Sequence, residues 1–197
     1  MPTAYRARRR SSGRSDRTRE RITAAVRELL AEGTFHESTA EQVAERAGVA
    51  RATLYQHFRS RVDLVDAICD TFAVNPALVE VRQAVDLPDL GEAIDETIAL
   101  SVRFWASEDT VLRQLYGVAA IDPAAQDLVD RQRADRRGEM DRLARRLGSG
   151  AARQRASALL MVLTSFDTYR ELREAAFSER QVVTQLQEAG RALLLRG

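Results

Sequence analysis

The spacing Ala44-x3-Gly48-x5-Leu54 restricts this chain more than any other feature. Two helices that cross steeply through a three- to four-residue turn need three things. They need a small residue where they touch, a glycine at the turn and an apolar residue on the second helix facing back. Ala44, Gly48 and Leu54 fill those roles, with Val43, Val49 and Phe58 as surrounding core. The flanking signals agree. Thr39 and Gln42 form an S/T-x-x-E/Q capping box that opens the first short helix, and Gly48 stops it. A second begins near Ala50 or Arg51. Upstream, Ile22, Ala25, Val26, Leu29 and Leu30 recur at helical intervals from about Asp16, and Gly33 ends that run. Downstream, Ser60 followed by Asp63 caps a helix with Leu64, Val65 and Ile68.

The outward face of the helix that follows the turn carries Arg51, Thr53, Tyr55, Gln56 and His57. Arg grips guanine bidentately and Gln pairs with adenine, while Thr, Tyr and His hold phosphates, so this face suits a major-groove reader. An ordinary helical hairpin with a solvated polar face has the same spacing, and charge separates the two readings. The formal net charge of +1 is a cancellation. Thirteen arginines against seven carboxylates give residues 1–61 a net +6, and seventeen against twenty-two give residues 62–197 a net −5. Arg6, Arg8, Arg9, Arg10 and Arg14 lie in a start with almost nothing to bury, which predicts a basic, disordered arm over residues 1–15. That arm is either a solvated tail or a minor-groove reader. Nonspecific phosphate contact is the reading favoured here.

Other classes fall away. A single cysteine, Cys69, leaves no internal disulfide and no multi-thiolate zinc site, and two histidines, His36 and His57, leave little for another metal centre. No G-x-S-x-G, G-x-G-x-x-G, P-loop or H-E-x-x-H occurs. The expectation is therefore no catalytic residues, no metal and no cofactor. The longest dense apolar patch, Leu159–Leu163, is five residues, far from the ~20 a membrane span needs. No secretory pattern follows the basic start, so a cytoplasmic protein with no membrane partner is expected.

Beyond Asn75-Pro76 the pattern is helical throughout. It predicts a stripe from Leu90 to Trp105, a short segment from Val111 to Val118, a break at Asp122-Pro123 and a long polar helix to Leu147. After Gly148-Ser149-Gly150 an apolar helix runs from Ala151 to about Phe177, and a capping box at Ser178 and Gln181 opens the last. No run alternates long enough for a strand, so the chain is all-α with about nine helices. Phe104, Trp105, Tyr116, Met140, Met161, Phe166 and Tyr169 could line a cavity with Thr164 and Asp167 as polar anchors, or could be plain core. Asp167, within an apolar helix, pairs with Arg170 or Arg173 across an interface or contacts a ligand.

Thr18 to Ile68 resembles the DNA-binding domain of the TetR family of bacterial transcriptional regulators. Ala44-Glu45-Arg46-Ala47-Gly48-Val49, Thr53-Leu54-Tyr55-Gln56-His57-Phe58 and the Ser60-Arg61 start of the next helix carry the likeness. The resemblance implies a three-helix helix-turn-helix domain over 16–72, including a linking helix, and a helical ligand-binding and dimerisation domain over 73–197. It implies a homodimer on a palindromic double-stranded DNA operator, repressing until a small-molecule effector binds. The alternatives are a DNA-binding protein that is constitutive or controlled by a partner, and, further off, an enzyme. By family pattern Tyr55 and His57 contact phosphates, Thr53 sits at the DNA surface, Thr39 donates to a phosphate, and Arg61 lies near the backbone. Leu159, Leu160, Leu163, Leu186, Leu193 and Leu194, on the two most apolar helices, are candidates for the dimer interface. The sequence departs from the pattern at Ala50, where Ser or Thr commonly caps the recognition helix, and at Ala52, where Gly is common.

Overall fold

A computed structural model describes residues 13–195. Residues 1–12 of the expected arm, with Arg6, Arg8, Arg9 and Arg10, and the side chain of Arg14 lie outside the described residues, whereas residues 13–15, expected in a disordered arm, are helical. One compact unit ends at Ile68 and a second begins at Cys69.

The first unit is built on α1 (Gly13–Ala31), which starts three residues before Asp16, then a 3-10 turn (Phe35–Glu37), α2 (Ala40–Arg46) and α3 (Arg51–His57). Helix α4 (Arg61–Phe72) contains the division between the units. The apolar stripe of α1 becomes its buried side. Ile22, Val26 and Leu30 are fully buried with Phe35, Val43, Leu54, Phe58 and Val65. Helices as short as α2 and α3 are unstable alone, so this shared core holds them. At the start of α4, the Asp63 carboxylate accepts from the backbone N–H groups of Arg59 (2.8 Å) and Ser60 (3.2 Å), while Ser60 Oγ accepts from Asp63 N–H.

The second unit contains α5 (Pro76–Ala84), α6 (Leu90–Ala119), α7 (Pro123–Leu147), α8 (Gly150–Leu163), α9 (Phe166–Glu174) and α10 (Glu179–Leu194). Side chains at the breaks start these helices. Asn75 accepts from Ala77 N–H, Asp89 from Glu92 N–H and Asp122 from Ala124 N–H, each oxygen satisfying a donor left free by the first turn. Helix α6 packs against α5, α7, α9 and α10, and α8 packs against α7 and α10.

Two expected boundaries change. The stripe Leu90–Trp105 and the segment Val111–Val118 are one helix of 30 residues. The polar stretch between them does not break it, because Glu108 is buried and accepts from Asn75 Nδ2 at 3.2 Å. Conversely, Ala151–Phe177 is two helices. Thr164 leaves helical geometry (φ −103°, ψ 16°), and the Ser165 hydroxyl accepts from Thr168 N–H to open α9. The described residues thus form ten α-helices rather than about nine.

Helix α10 meets α6 and α8 at Gly190, where a β-carbon would lie 2.9 Å from Ile98 Cδ1 and 3.2 Å from Ile94 Cγ2. Gly190→Val therefore overpacks this crossing and should cost about 1–3 kcal/mol. Urea denaturation followed through Trp105, in the same unit, tests this, and an unchanged midpoint would contradict it.

Candidate nucleic-acid interface and cavity

The turn between α2 and α3 is set by backbone and charge together. Thr39 Oγ1 accepts from Gln42 N–H at 3.2 Å, and Gln42 Oε1 accepts from Thr39 N–H at 2.8 Å, so the expected capping box forms. At the other end of α2, Gly48 adopts φ +61°, the left-handed region that glycine enters without steric cost. Arg21, reaching across from α1, donates through Nη2 to the carbonyls of Ala47 (2.7 Å) and Gly48 (2.8 Å). Its charge meets the negative end of the α2 dipole. Arg19 does a similar job for α3, donating to His57 O at 3.3 Å with its guanidinium 4.3 Å over the Phe58 ring. Ala50 supplies no side-chain cap to α3, as its identity predicts.

With Leu54 and Phe58 buried behind it, α3 leaves Arg51, Tyr55 and Gln56 exposed, and Thr53 and His57 half-buried. Arg51 lies 5.6 Å over the Tyr55 ring, one helical turn on. Thr39 is exposed at the start of α2. Arg61 behaves differently from the other candidates. Its guanidinium turns inward, donating to Ser38 O at 2.9 Å and to Phe35 O, and sits 4.1 Å over the Phe35 ring. In this conformation it ties the loop before α2, where bare carbonyls and an aromatic face lie within reach. Arg19 and Arg21 escaped the sequence reading, where they look like ordinary solvated charges on α1.

In the second unit a cavity of about 600 Å³ opens among α4, α5, α6, α7, α8 and α9. Of the residues expected there, Phe104, Trp105, Tyr116, Met140, Met161, Phe166 and Asp167 line it. Thr164 does not. Its buried hydroxyl donates to Leu160 O at 2.7 Å, and its carbonyl accepts from Trp105 Nε1 at 3.0 Å. Tyr169 is buried core, stacked at 6.1 Å on Phe166. Asp167 is exposed in the first turn of α9, where the helix dipole favours a carboxylate. It is not within an apolar helix, and its supposed partners are engaged elsewhere. Arg170 pairs with Glu174, and Arg173 donates to Phe177 O. Sequence reading missed Arg136, whose guanidinium lies 5.8 Å from the Trp105 ring on the cavity wall.

Residues 22–68, from the buried face of α1 through α4, match the model of the bacterial regulatory proteins of the tetR family. Over that quarter of its length the chain is similar to the DNA-binding domain of TetR-type regulators. Among curated relatives, it is 29% identical over 117 residues to the uncharacterized HTH-type transcriptional regulator YdeS of Bacillus subtilis, covering 57% of this chain and 55% of YdeS. It is 33% identical over 70 residues to the HTH-type transcriptional activator FasR of Mycolicibacterium smegmatis, covering 36% of this chain and 32% of FasR. The matched region thus spans about half the length of one relative and a third of the other. A TetR/AcrR-family transcriptional regulator from Thermobifida fusca shares the fold, with a TM-score of 0.68 at 24% identity over 92% of this chain and 98% of that one. The TetR-family regulator PfmR from Thermus thermophilus does so too, at 0.66 and 16% over 91% and 96%.

The six leucines expected at a TetR-type dimer interface separate into two sets. Leu160, Leu163 and Leu186 are buried in the core of their own unit, at 0%, 6% and 5% exposure, and have no surface to offer a second copy. Leu159 and Leu194 are half-buried and Leu193 is exposed, beside Val162 and Leu195, which are also exposed. The hydrophobic pattern marked both sides of α8 and α10 without distinguishing inner from outer. Among the described residues, no helix is long and apolar enough to cross a membrane, and no cluster of three metal-ligating side chains occurs.

Arg61→Met keeps the apolar stem and removes the tie. Losing charge-assisted hydrogen bonds should cost the first unit about 1.5–3 kcal/mol, while the salt dependence of DNA affinity stays unchanged. A slope reduced by about 0.9 would instead place Arg61 on a phosphate.

Proposed function

We propose that this chain is a TetR-family regulator, a cytoplasmic homodimer that reads a pseudo-palindromic DNA operator through α3, and a repressor released by a small molecule bound in the second unit. One observation carries the proposal. The same chain pairs an exposed, polar α3 on a rigidly braced turn with an aromatic-walled cavity of about 600 Å³, within the size range of sites for small ligands. Arg51 and Gln56 are assigned to base edges. Thr39, Thr53, Tyr55 and His57 are assigned to the phosphate backbone and the DNA surface. Leu159, Leu193 and Leu194 are assigned to the contact between copies. Regulation rather than catalysis is the activity proposed, in keeping with relatives named as transcriptional regulators.

Selection of bound sequences from a random DNA pool should return an inverted repeat whose half-sites lie about one helical turn, or a multiple of one, apart. A selected site without two-fold symmetry would contradict the dimeric reading. On the selected operator, Arg51→Ala should cost about 1–3 kcal/mol and relax base preference at one position in each half-site. Equal losses on operator and random DNA would move Arg51 to the phosphate class.

A further inference from the structure

The cavity holds a cation that makes no ion pair with a described residue. Arg136 is half-buried on α7, and its hydrogen bonds to described residues all run through Nη1. That atom donates to Met161 O at 3.3 Å, to Thr164 O at 2.5 Å and to Thr164 Oγ1 at 3.3 Å. These are groups at the C-terminal end of α8, where the dipole is negative. They hold one corner of the guanidinium, and no carboxylate of the described residues forms an ion pair with it. The Nε–Nη2 edge, the edge that meets a carboxylate with two parallel hydrogen bonds, is uncommitted. Burial lowers the pKa of the group from its ordinary value and outweighs the opposing attraction to Tyr116 and Asp167.

The other ionisable groups of the wall differ from it. Glu139 is answered by Arg82 at 3.2 Å. Asp130, Arg133, Asp135 and Asp167 are exposed. Beside Arg136 the wall is aromatic and continuous. Phe104 meets Trp105 at 4.7 Å, Trp105 meets Phe166 at 5.6 Å, and Phe166 stacks on Tyr116 at 5.5 Å. An uncompensated, partly desolvated cation next to apolar rings is costly unless an anion completes it. The complementary ligand has one anionic end and an apolar body.

We propose that the cavity takes a small, largely apolar carboxylate, gripped by the Nε–Nη2 edge of Arg136, with its body laid among Phe104, Trp105, Tyr116 and Phe166. This rests on the cavity being the effector site. Planar, bidentate geometry selects a carboxylate over a neutral hydroxyl of the same shape. The rings set no hydrogen-bonding demand on the remainder of the molecule.

Trp105 is the chain's single tryptophan and stands in the wall, so its emission reports occupancy directly. The full chain, without DNA, is titrated at neutral pH with octanoate, decanoate and 4-phenylbutyrate, and with the matching alcohols 1-octanol, 1-decanol and 4-phenyl-1-butanol. At least one carboxylate should change Trp105 emission with an affinity about tenfold or more above its alcohol, the advantage expected of a charge-assisted bidentate pair. Arg136→Gln should erase that advantage and leave alcohol affinity in place, with circular dichroism confirming the fold. Arg136→Lys should restore only part of it, since a point charge replaces the fork. Carboxylates no tighter than their alcohols in every pair, or an advantage that survives Arg136→Gln, would overturn the proposal. If Arg136→Gln does not fold, the wild-type pairs decide alone. Repeating the titrations with the selected operator separates this proposal from the one it rests on. A carboxylate that binds through Arg136 without weakening operator affinity upholds the site and contradicts its role as effector site. An alcohol that binds as well as its carboxylate and releases the operator does the reverse.

Discussion

The surface proposed to read DNA depends on a backbone conformation that only glycine adopts cheaply. At φ +61°, Gly48 turns the chain out of α2 so that α3 can lay Leu54 and Phe58 into the core and present its opposite side. The turn would otherwise leave the carbonyls of Ala47 and Gly48 without partners, and Arg21 supplies them. A β-carbon at position 48 would come within 2.7 Å of that guanidinium. Steric freedom at one residue and charge from another helix therefore act on the same few atoms. The missing cap at Ala50 is tolerated because the orientation of α3 is fixed elsewhere, by the turn before it and by Arg19 at its far end.

The second unit has an equivalent junction at Thr164. There α8 stops, and the freed carbonyl accepts from both Trp105 and Arg136. One backbone oxygen thus places the aromatic wall and the cation of the cavity with respect to each other. The residue that looked on sequence like a polar anchor for a ligand anchors the protein's own side chains. Ending α8 there also frees Ser165 to start α9, which brings Phe166 back against Trp105 and Tyr116.

Local signals of short range were legible in the sequence. The Thr39–Gln42 and Ser178–Gln181 boxes, the turn at Gly48 and the buried stripe of α1 all follow from residues within four positions of each other. What the sequence hid was the partner across space. The polar gap before Val111 looks like a helix end in sequence, yet Glu108 within it is buried against Asn75, 33 positions away. Arg21, Arg61 and Arg136 are arginines among thirty, distinguished only by the carbonyls and rings they meet. Leucine spacing marked α8 and α10 as the most apolar helices, but α10 is less apolar than α6, and α9, expected within the apolar stretch, is polar. The spacing does not say which side of α10 faces Ile94 and Ile98 on α6, or which leucines of α8 and α10 are buried. Residue type alone points to nine cavity candidates, and seven of them line the space, yet the charge that gives the space its chemistry is not among them.

A regulator of this kind makes one claim above the rest: operator binding and cavity occupancy share a single free-energy balance. Linkage requires the coupling to be reciprocal. The direct measurement is the affinity of one Trp105-reporting ligand, taken with the free protein and again with the protein saturated by its selected operator. If that ligand weakens operator affinity by some factor, the operator should weaken ligand affinity by the same factor. Ligand affinity identical in the two states would contradict the account, leaving a DNA-binding protein whose cavity has no voice in regulation.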